Sequence, residues 1–282
     1  MSQCPYQASQ VDLSDEGVHW DQDISYGQYL DLDAVLQCQN PRSDKHDEML
    51  FIVIHQVSEL WMKLCLHEAH GAAKSILAGQ LSPAFKMLTR VARIQEQLIK
   101  AWEVLVTMTP ADYASFRDDL GQSSGFQSYQ YRELEFLLGN KNKDMINAHK
   151  NNPEHFDYLT NVLNQPSLYD VCLKLLASRG FDIPADITER DWSTPYEHND
   201  KVEAAWATIY QDTQTHWDLY ELAEKLVDLE FNFQRWRFNH MKTVERIIGY
   251  KKGTGGTGGV SYLSKALDLK FFPELWSVRT EI

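Results

Sequence analysis

Three features of the sequence predict an all-α fold. Residues from about His216 to Ile248 run without Pro or Gly and repeat apolar side chains at Leu222, Leu226, Leu229, Phe233 and Trp236, the spacing of one helical stripe. Residues from about His46 to Leu77 form a second long helical stretch. Alternation of apolar and polar residues, the mark of a half-buried strand, is nearly absent. Breaks between periodic segments fall at Gly, Pro and Asn. The chain therefore reads as one bundle-type helical domain over residues 25–282, with long helices around a pocket, preceded by a polar and flexible arm over residues 1–24.

The elements follow in order. Tyr26-Gly27-Gln28-Tyr29-Leu30 opens an ordered stretch, and Leu32, Val35 and Leu36 predict a short helix. Asn40-Pro41-Arg42-Ser43-Asp44 is a turn. The helix from His46 to Leu77 carries a main apolar stripe of Leu50, Val53, Val57, Leu60/Trp61 and Leu64, expected to face the core. Leu88, Val91, Ile94, Leu98 and Val104/Leu105 mark a helix over about Ser82–Thr107. Thr109-Pro110 reads as an N-cap followed by a first-turn proline, opening a helix through Leu120. Gly121 to Gly125 breaks it, and a helix over Phe126–Leu138 ends at Gly139-Asn140. Residues 150–200 are shorter helices and loops, punctuated by Pro153, Pro166, Pro184 and Pro195. The long helix stops at Gly249, and Tyr262 to Leu269 is followed by an aromatic tail, Phe271 to Trp276.

Composition narrows the function classes. A net charge of −13 argues against a nucleic-acid or anionic-membrane partner. No apolar run approaches the length of a membrane span. The start, Met1-Ser2-Gln3-Cys4-Pro5, has no basic and apolar leader, and Cys4, Cys38, Cys65 and Cys172 form no Cys-x-x-Cys pair, so a reducing, cytoplasmic setting is expected.

Three constellations can carry chemistry. His240 continues the stripe of Leu229, Phe233 and Trp236, which aims it inward. It is either a satisfied core histidine or an axial ligand to a large apolar cofactor such as haem. His55 lies one turn after Phe51, on a ridge offset from the main stripe, as a pocket-facing edge would be; a partly exposed helical histidine has the same spacing. Tyr113 and Arg117 stand one turn apart, with Leu120 a further turn along. This face suits a carboxylate held by Arg with an apolar body beside it, although Asp118 and Asp119 also fit a surface arginine. His67-Glu68-Ala69-His70-Gly71 fails the zinc-protease pattern, because Gly71 stands where the second His is required.

Five glycines crowd into Gly253-Thr254-Gly255-Gly256-Thr257-Gly258-Gly259. Gly253-x-Gly255-x-x-Gly258 matches the dinucleotide-binding fingerprint, but that fingerprint must follow a strand, and here a long helix precedes it. Gly259 also stands where the phosphate-loop pattern needs Lys. The run is then a flexible loop or one that closes over some other ligand.

Taken together, His55-Gln56-Val57-Ser58-Glu59-Leu60-Trp61, the stretch from Phe116 to Ser128, Glu135 to Lys141, Trp236-Arg237-Phe238-Asn239-His240-Met241 and Gly253-Thr254-Gly255-Gly256 closely resemble the tryptophan 2,3-dioxygenase family in its compact bacterial form, over about Tyr26 to Thr280. The resemblance implies an α-helical homotetramer with one haem b per subunit, in which both atoms of O2 enter across the indole C2–C3 bond of L-tryptophan to give N-formyl-L-kynurenine, the first step of tryptophan catabolism by the kynurenine route. It further implies that His240 is the axial iron ligand and that His55 accepts a hydrogen bond from the indole N–H. Arg117 and Tyr113 would hold the carboxylate, and Thr254 would contact the ammonium and carboxylate. Phe51, Leu120 and Ser124 would wall the indole pocket, with the Gly125 backbone near O2. Trp102 matches a tryptophan on the haem's proximal side, and Tyr26, Tyr29 and Leu30 match a segment that reaches into a neighbouring subunit. One departure is that Thr257-Gly258 stand where the family loop commonly has Ser-Ser. A helical sensor that binds haem or tryptophan without turnover, and a nucleotide-binding loop, are the competing readings.

Overall fold

Helical signals become helices almost throughout the computed structural model, which describes residues 23–282; Cys4 and nearly all of the expected N-terminal arm lie outside the described residues. The chain divides into two compact units, Met1–Asn40 and Pro41–Ile282. The described part of the first holds two short helices, α1 (Tyr26–Leu30) and α2 (Leu32–Gln37). Ser25 and Gln28 form a reciprocal cap at the start of α1, and Asp31, at φ 50°, turns the chain into α2. Neither helix buries a side chain, and Tyr26, Tyr29 and Leu30 are exposed.

The second unit is built on three long helices. Helix α3 (His46–Leu77) and α4 (Leu81–Leu105) are joined by a tight turn at Gly79, whose φ of 70° suits glycine. So short a link makes them antiparallel neighbours. Then come α5 (Pro110–Phe116), α6 (Tyr129–Leu138), α7 (Pro153–Leu163), α8 (Leu168–Ser178), the single turn α9 (Ala185–Thr188) and α10 (Asp200–Gln211). The third long helix, α11 (Trp217–Ile248), precedes α12 (Val260–Ala266) and α13 (Pro273–Ser277). No strand occurs among the described residues. One apolar core joins Ala69, Ala72 and Ile76 of α3, Ala84, Leu88 and Val91 of α4, Leu222, Leu226, Leu229 and Phe233 of α11, and Leu173 and Leu176 of α8. The alanines let α3 and α4 approach closely, and Gln95 of α4 donates to the Leu229 carbonyl of α11 at 3.2 Å.

Four sequence expectations need correction. The main stripe of α3 does not face the core: Val53, Val57, Leu60 and Leu64 are exposed, while Met62, Cys65, Leu66, Ala69, Ala72 and Ile76 are buried. The helix is apolar on most of its circumference, so periodicity alone could not choose the inward face. For the same reason α3 is long and apolar enough to cross a membrane by composition, with an 18-residue window of mean hydropathy 1.4, which the sequence reading overlooked. The helix opened by Thr109 becomes a tighter 3-10 turn over Arg117–Leu120, and residues 125–127 are a separate 3-10 turn before α6. The aromatic tail is core, since Phe271, Phe272 and Leu275 are all buried.

A buried carboxylate pins that tail. Glu230 of α11 accepts from the backbone N–H of Phe271 (3.0 Å) and Phe272 (3.1 Å) and from Trp276 Nε1 (2.8 Å). Glu274 accepts from the hydroxyls of Tyr169 and Tyr196 and from the backbone N–H of Asn199, each at 2.7 Å. Replacing Glu230 with Ala strands three buried donors, and the expected loss is about 3 kcal/mol or more of unfolding free energy. Urea denaturation measures it, and an unchanged midpoint would show that the tail is held by packing alone.

Candidate active site

Two histidines on two long helices lie close enough for their charges to interact. On one side, α3 presents Phe51 and His55, whose ring centroids lie 4.2 Å apart. Tyr113 and Phe116 of α5 pack on Phe51 at 5.9 and 5.8 Å. Phe51, Tyr113 and Phe116 belong to a small apolar cluster with Leu105, Met108, Leu120, Trp102 and Ile247, separate from the main core. The His55 Nδ1 lies 2.6 Å from the Phe51 carbonyl oxygen. A carbonyl only accepts, so Nδ1 carries the proton and donates, and neutral His55 keeps Nε2 as a bare acceptor. Burial lowers the His55 pKa, against the opposing pull of the Phe51 hydrogen bond and the Glu59 charge. Tyr113 is shifted upward by burial, while the adjacent Arg117 works the other way.

On the other side, α11 presents His240. The Trp102 ring of α4 stacks on it nearly parallel, at 9° with centroids 4.6 Å apart, and Trp236 flanks it at 5.5 Å. Burial, then the positive charge that His55 would carry, push the His240 pKa down to about 4. The imidazole is therefore neutral near pH 7, as a metal ligand must be. His240 is half-buried and makes no hydrogen bond among the described residues, and the indole N–H groups of Trp102 and Trp236 are buried without acceptors. The sequence reading overlooked Trp236 as a wall of this space, although its place one turn before His240 was a usable signal.

The glycine-rich loop is the third component. Gly249, at φ 61°, ends α11, and the loop returns to the segment between α5 and α6. Arg117 Nη2 donates to the Lys252 carbonyl at 2.7 Å, and Thr254 Oγ1 donates to the Ser123 carbonyl at 2.5 Å. A Cβ on Gly255 would stand 2.7 Å from Ser124 Cβ, so this position has no room for a side chain. Within the loop Gly253 N–H donates to the Thr257 carbonyl at 3.1 Å. Arg117 Nε is buried without a partner, leaving a guanidinium donor for an anion.

The structure thus gathers Phe51, Tyr113, Leu120 and Trp102 in one cluster, with His55 against Phe51. It sets Arg117, Ser124 and Thr254 around the loop, with Gly125 at the exposed start of a 3-10 turn. Tyr26, Tyr29 and Leu30 belong to the other unit. The contacts of Lys252 and Ser123 escaped the sequence reading because both act through backbone carbonyls, which side-chain patterns do not reveal. His67 and His70 are exposed, as expected, and His70 Nε2 pairs with Glu133 at 2.7 Å.

The chain matches known proteins over nearly its full length. The sequence model of the family described as tryptophan 2,3-dioxygenase matches residues 12–166 and 152–282. The chain is 54% identical over 288 residues to the tryptophan 2,3-dioxygenase of Cupriavidus necator, covering 99% of this chain and 98% of that protein. It is 59% identical over 261 residues to the protein of the same name from Erythrobacter litoralis, covering 93% and 99%. Tryptophan 2,3-dioxygenase 1 of Ralstonia nicotianae is 55% identical over 282 residues, covering 100% and 96%.

The His55 tautomer is directly measurable. Nitrogen-15 NMR of histidine-labelled protein at neutral pH is expected to show Nδ1 protonated and Nε2 bare. A proton on Nε2 would contradict the assigned Phe51 contact.

Proposed function

The chain belongs to the tryptophan 2,3-dioxygenase family, and on that premise we propose that it binds one haem b between His55 and His240 and inserts both atoms of O2 across the indole C2–C3 bond of L-tryptophan, giving N-formyl-L-kynurenine. The observation that carries this reading is His240: a neutral, half-buried imidazole with no protein hydrogen bond, stacked on Trp102 and flanked by Trp236. His240 would hold the haem iron through an unprotonated nitrogen, with Trp102 and Trp236 as apolar walls, and this donor set fits. When bound, the haem supplies the iron chemistry that activates O2, while the protein supplies binding and orientation.

The chain's own residues would work as follows. The bare Nε2 of His55 accepts a hydrogen bond from the indole N–H and so orients the ring. Full proton abstraction is disfavoured, because an indole N–H is a very weak acid and His55 has a lowered basicity. Phe51, Leu120 and Ser124 form the walls against which the indole lies. Arg117, with Tyr113 beside it, takes the carboxylate, and its unpaired Nε is a donor ready for that role. Thr254 turns from the Ser123 carbonyl to the ammonium and carboxylate. The loop that carries it excludes water, which strengthens each of these contacts. Gly125, without a side chain, leaves the backbone beside the pocket accessible to O2. A site built to pair an N–H at one end and a carboxylate at the other discriminates strongly against analogues lacking either.

The protein is further read as a cytoplasmic homotetramer, its N-terminal segment completing a neighbour's pocket. Exposed Tyr26, Tyr29 and Leu30 in the first unit support this, as does the exposed stripe of Val53, Val57, Leu60 and Leu64 on α3 in the second. These are apolar surfaces that association would cover.

The ferrous protein is expected to show a Soret band that shifts on addition of L-tryptophan and is altered or lost in His240→Ala; tryptophan cleavage by protein free of haem would overturn the reading. Arg117→Ala is expected to raise the tryptophan KM sharply, by about 2–4 kcal/mol of lost binding. His55→Ala is expected to keep its haem and lose turnover. Steady-state kinetics with haem quantification checks both, and an unchanged KM or full activity respectively would remove the residue from its role.

A further inference from the structure

Three residues before His240 on α11, Arg237 is buried and makes three separate attachments. Its Nη2 donates to Glu135 Oε1 of α6 at 2.7 Å, and Arg132 shares that carboxylate. Its Nε reaches the Tyr131 hydroxyl at 3.4 Å, and its Nη1 donates to the Ala266 carbonyl at 2.9 Å. The guanidinium sits against the rings of Phe233 (4.6 Å) and Phe271 (5.2 Å), so it has little freedom to turn.

Each attachment leads to a different part of the pocket. Glu135 lies on α6, the helix that begins just after Ser124, Gly125 and Phe126. The Tyr131 ring packs on Trp236 at 5.2 Å, and Trp236 walls His240. Ala266 is the last residue of α12, the helix entered directly from the glycine loop. With only seven residues, α12 is too short to hold itself and depends on its contacts. Those contacts include burial of Val260, Tyr262 against Phe126 (6.0 Å), Tyr262 with Met145, and the Arg237 bond that satisfies a carbonyl left open at the helix's C-terminal end.

We infer that Arg237 is a positioning residue that sets the seat of the glycine-rich lid through α12 and couples that lid to the histidine-bearing helix. The inference rests on the lid reading above. Its contribution differs from that of a buried ion pair serving the fold alone. The ion pair needs only a positive charge near Glu135, whereas lid positioning needs a guanidinium with a second arm for Ala266. Lysine supplies the first and not the second.

Arg237→Lys therefore separates the two roles in the full-length protein as purified. Exposed Lys251 and Lys252 are trypsin sites, but the Lys252 carbonyl is tied to Arg117, so cleavage there requires the lid to open. Arg237→Lys is expected to raise cleavage after Lys251 and Lys252 by about tenfold, to weaken L-tryptophan binding by about tenfold in a spectroscopic titration, and to leave the denaturation midpoint near that of the unmodified protein. Glu135→Gln, which keeps the Ala266 bond, is expected to leave lid cleavage within about twofold. Lid cleavage in Arg237→Lys equal to that of the unmodified protein, or rising only in step with cleavage elsewhere, would overturn the proposal. If Arg237→Lys does not fold, hydrogen exchange in the unmodified protein decides: tryptophan should protect amides from the loop through Leu267, and protection ending at Gly259 would overturn it. Proteolysis needs neither haem nor turnover, so its failure is distinguishable from failure of the dioxygenase reading.

Discussion

Helix α4 is the constraint on which the site depends. It packs between α3 and α11 in the main core, and Gln95 ties it to the α11 backbone at Leu229. Two turns beyond Gln95, on the same helix, Trp102 lies flat on His240 while also joining the cluster that contains Phe51. The helix that fixes the spacing of the two histidine-bearing helices thus also walls the space between them. Small side chains at Ala69, Ala72 and Ala84 bring α3 and α4 close at one end, and the bulky Trp102 stands at the other. Packing of this kind, rather than any single bond, holds His55 and His240 near each other.

The electrostatics of the site are opposite in character to those of the whole molecule. The chain carries a net charge of −13, yet both imidazoles are neutral, with His240 pushed down to about 4 by burial. The polar groups left without partners near the site are donors: the indole N–H groups of Trp102 and Trp236, and Arg117 Nε. A pocket of neutral imidazoles and free donors suits a flat apolar cofactor and an amino acid held by its carboxylate. The loop joins this arrangement through backbone carbonyls, with Arg117 engaging Lys252 and Thr254 engaging Ser123.

Much of the fold was legible in the sequence because the decisive signals were local. The bounds of α3, the cap at Thr109, and the stops at Gly139 and Gly249 follow from periodicity and capping chemistry. The inward face of α3 was not legible, because a helix apolar on most sides has no preferred direction until its neighbours are known. Nor was the burial of the C-terminal aromatics, which depends on Glu230, some forty residues earlier, accepting their N–H groups. In the site, spacing singled out His240, His55 and the Tyr113–Arg117 pair, and the structure adds their tautomer, stacking and burial. The carbonyl contacts of Lys252 and Ser123, and the three-way attachment of Arg237, join residues 29 to 135 positions apart and leave no trace in local pattern.

The central claim is that this pocket delivers both atoms of O2 to one tryptophan. Anaerobically reduced protein, mixed with L-tryptophan and oxygen-18 gas in ordinary water, tests it most directly by mass spectrometry of the product. The account predicts N-formyl-L-kynurenine carrying label in both newly introduced oxygens. Product labelled at only one of them, or bound tryptophan recovered unchanged, would contradict it.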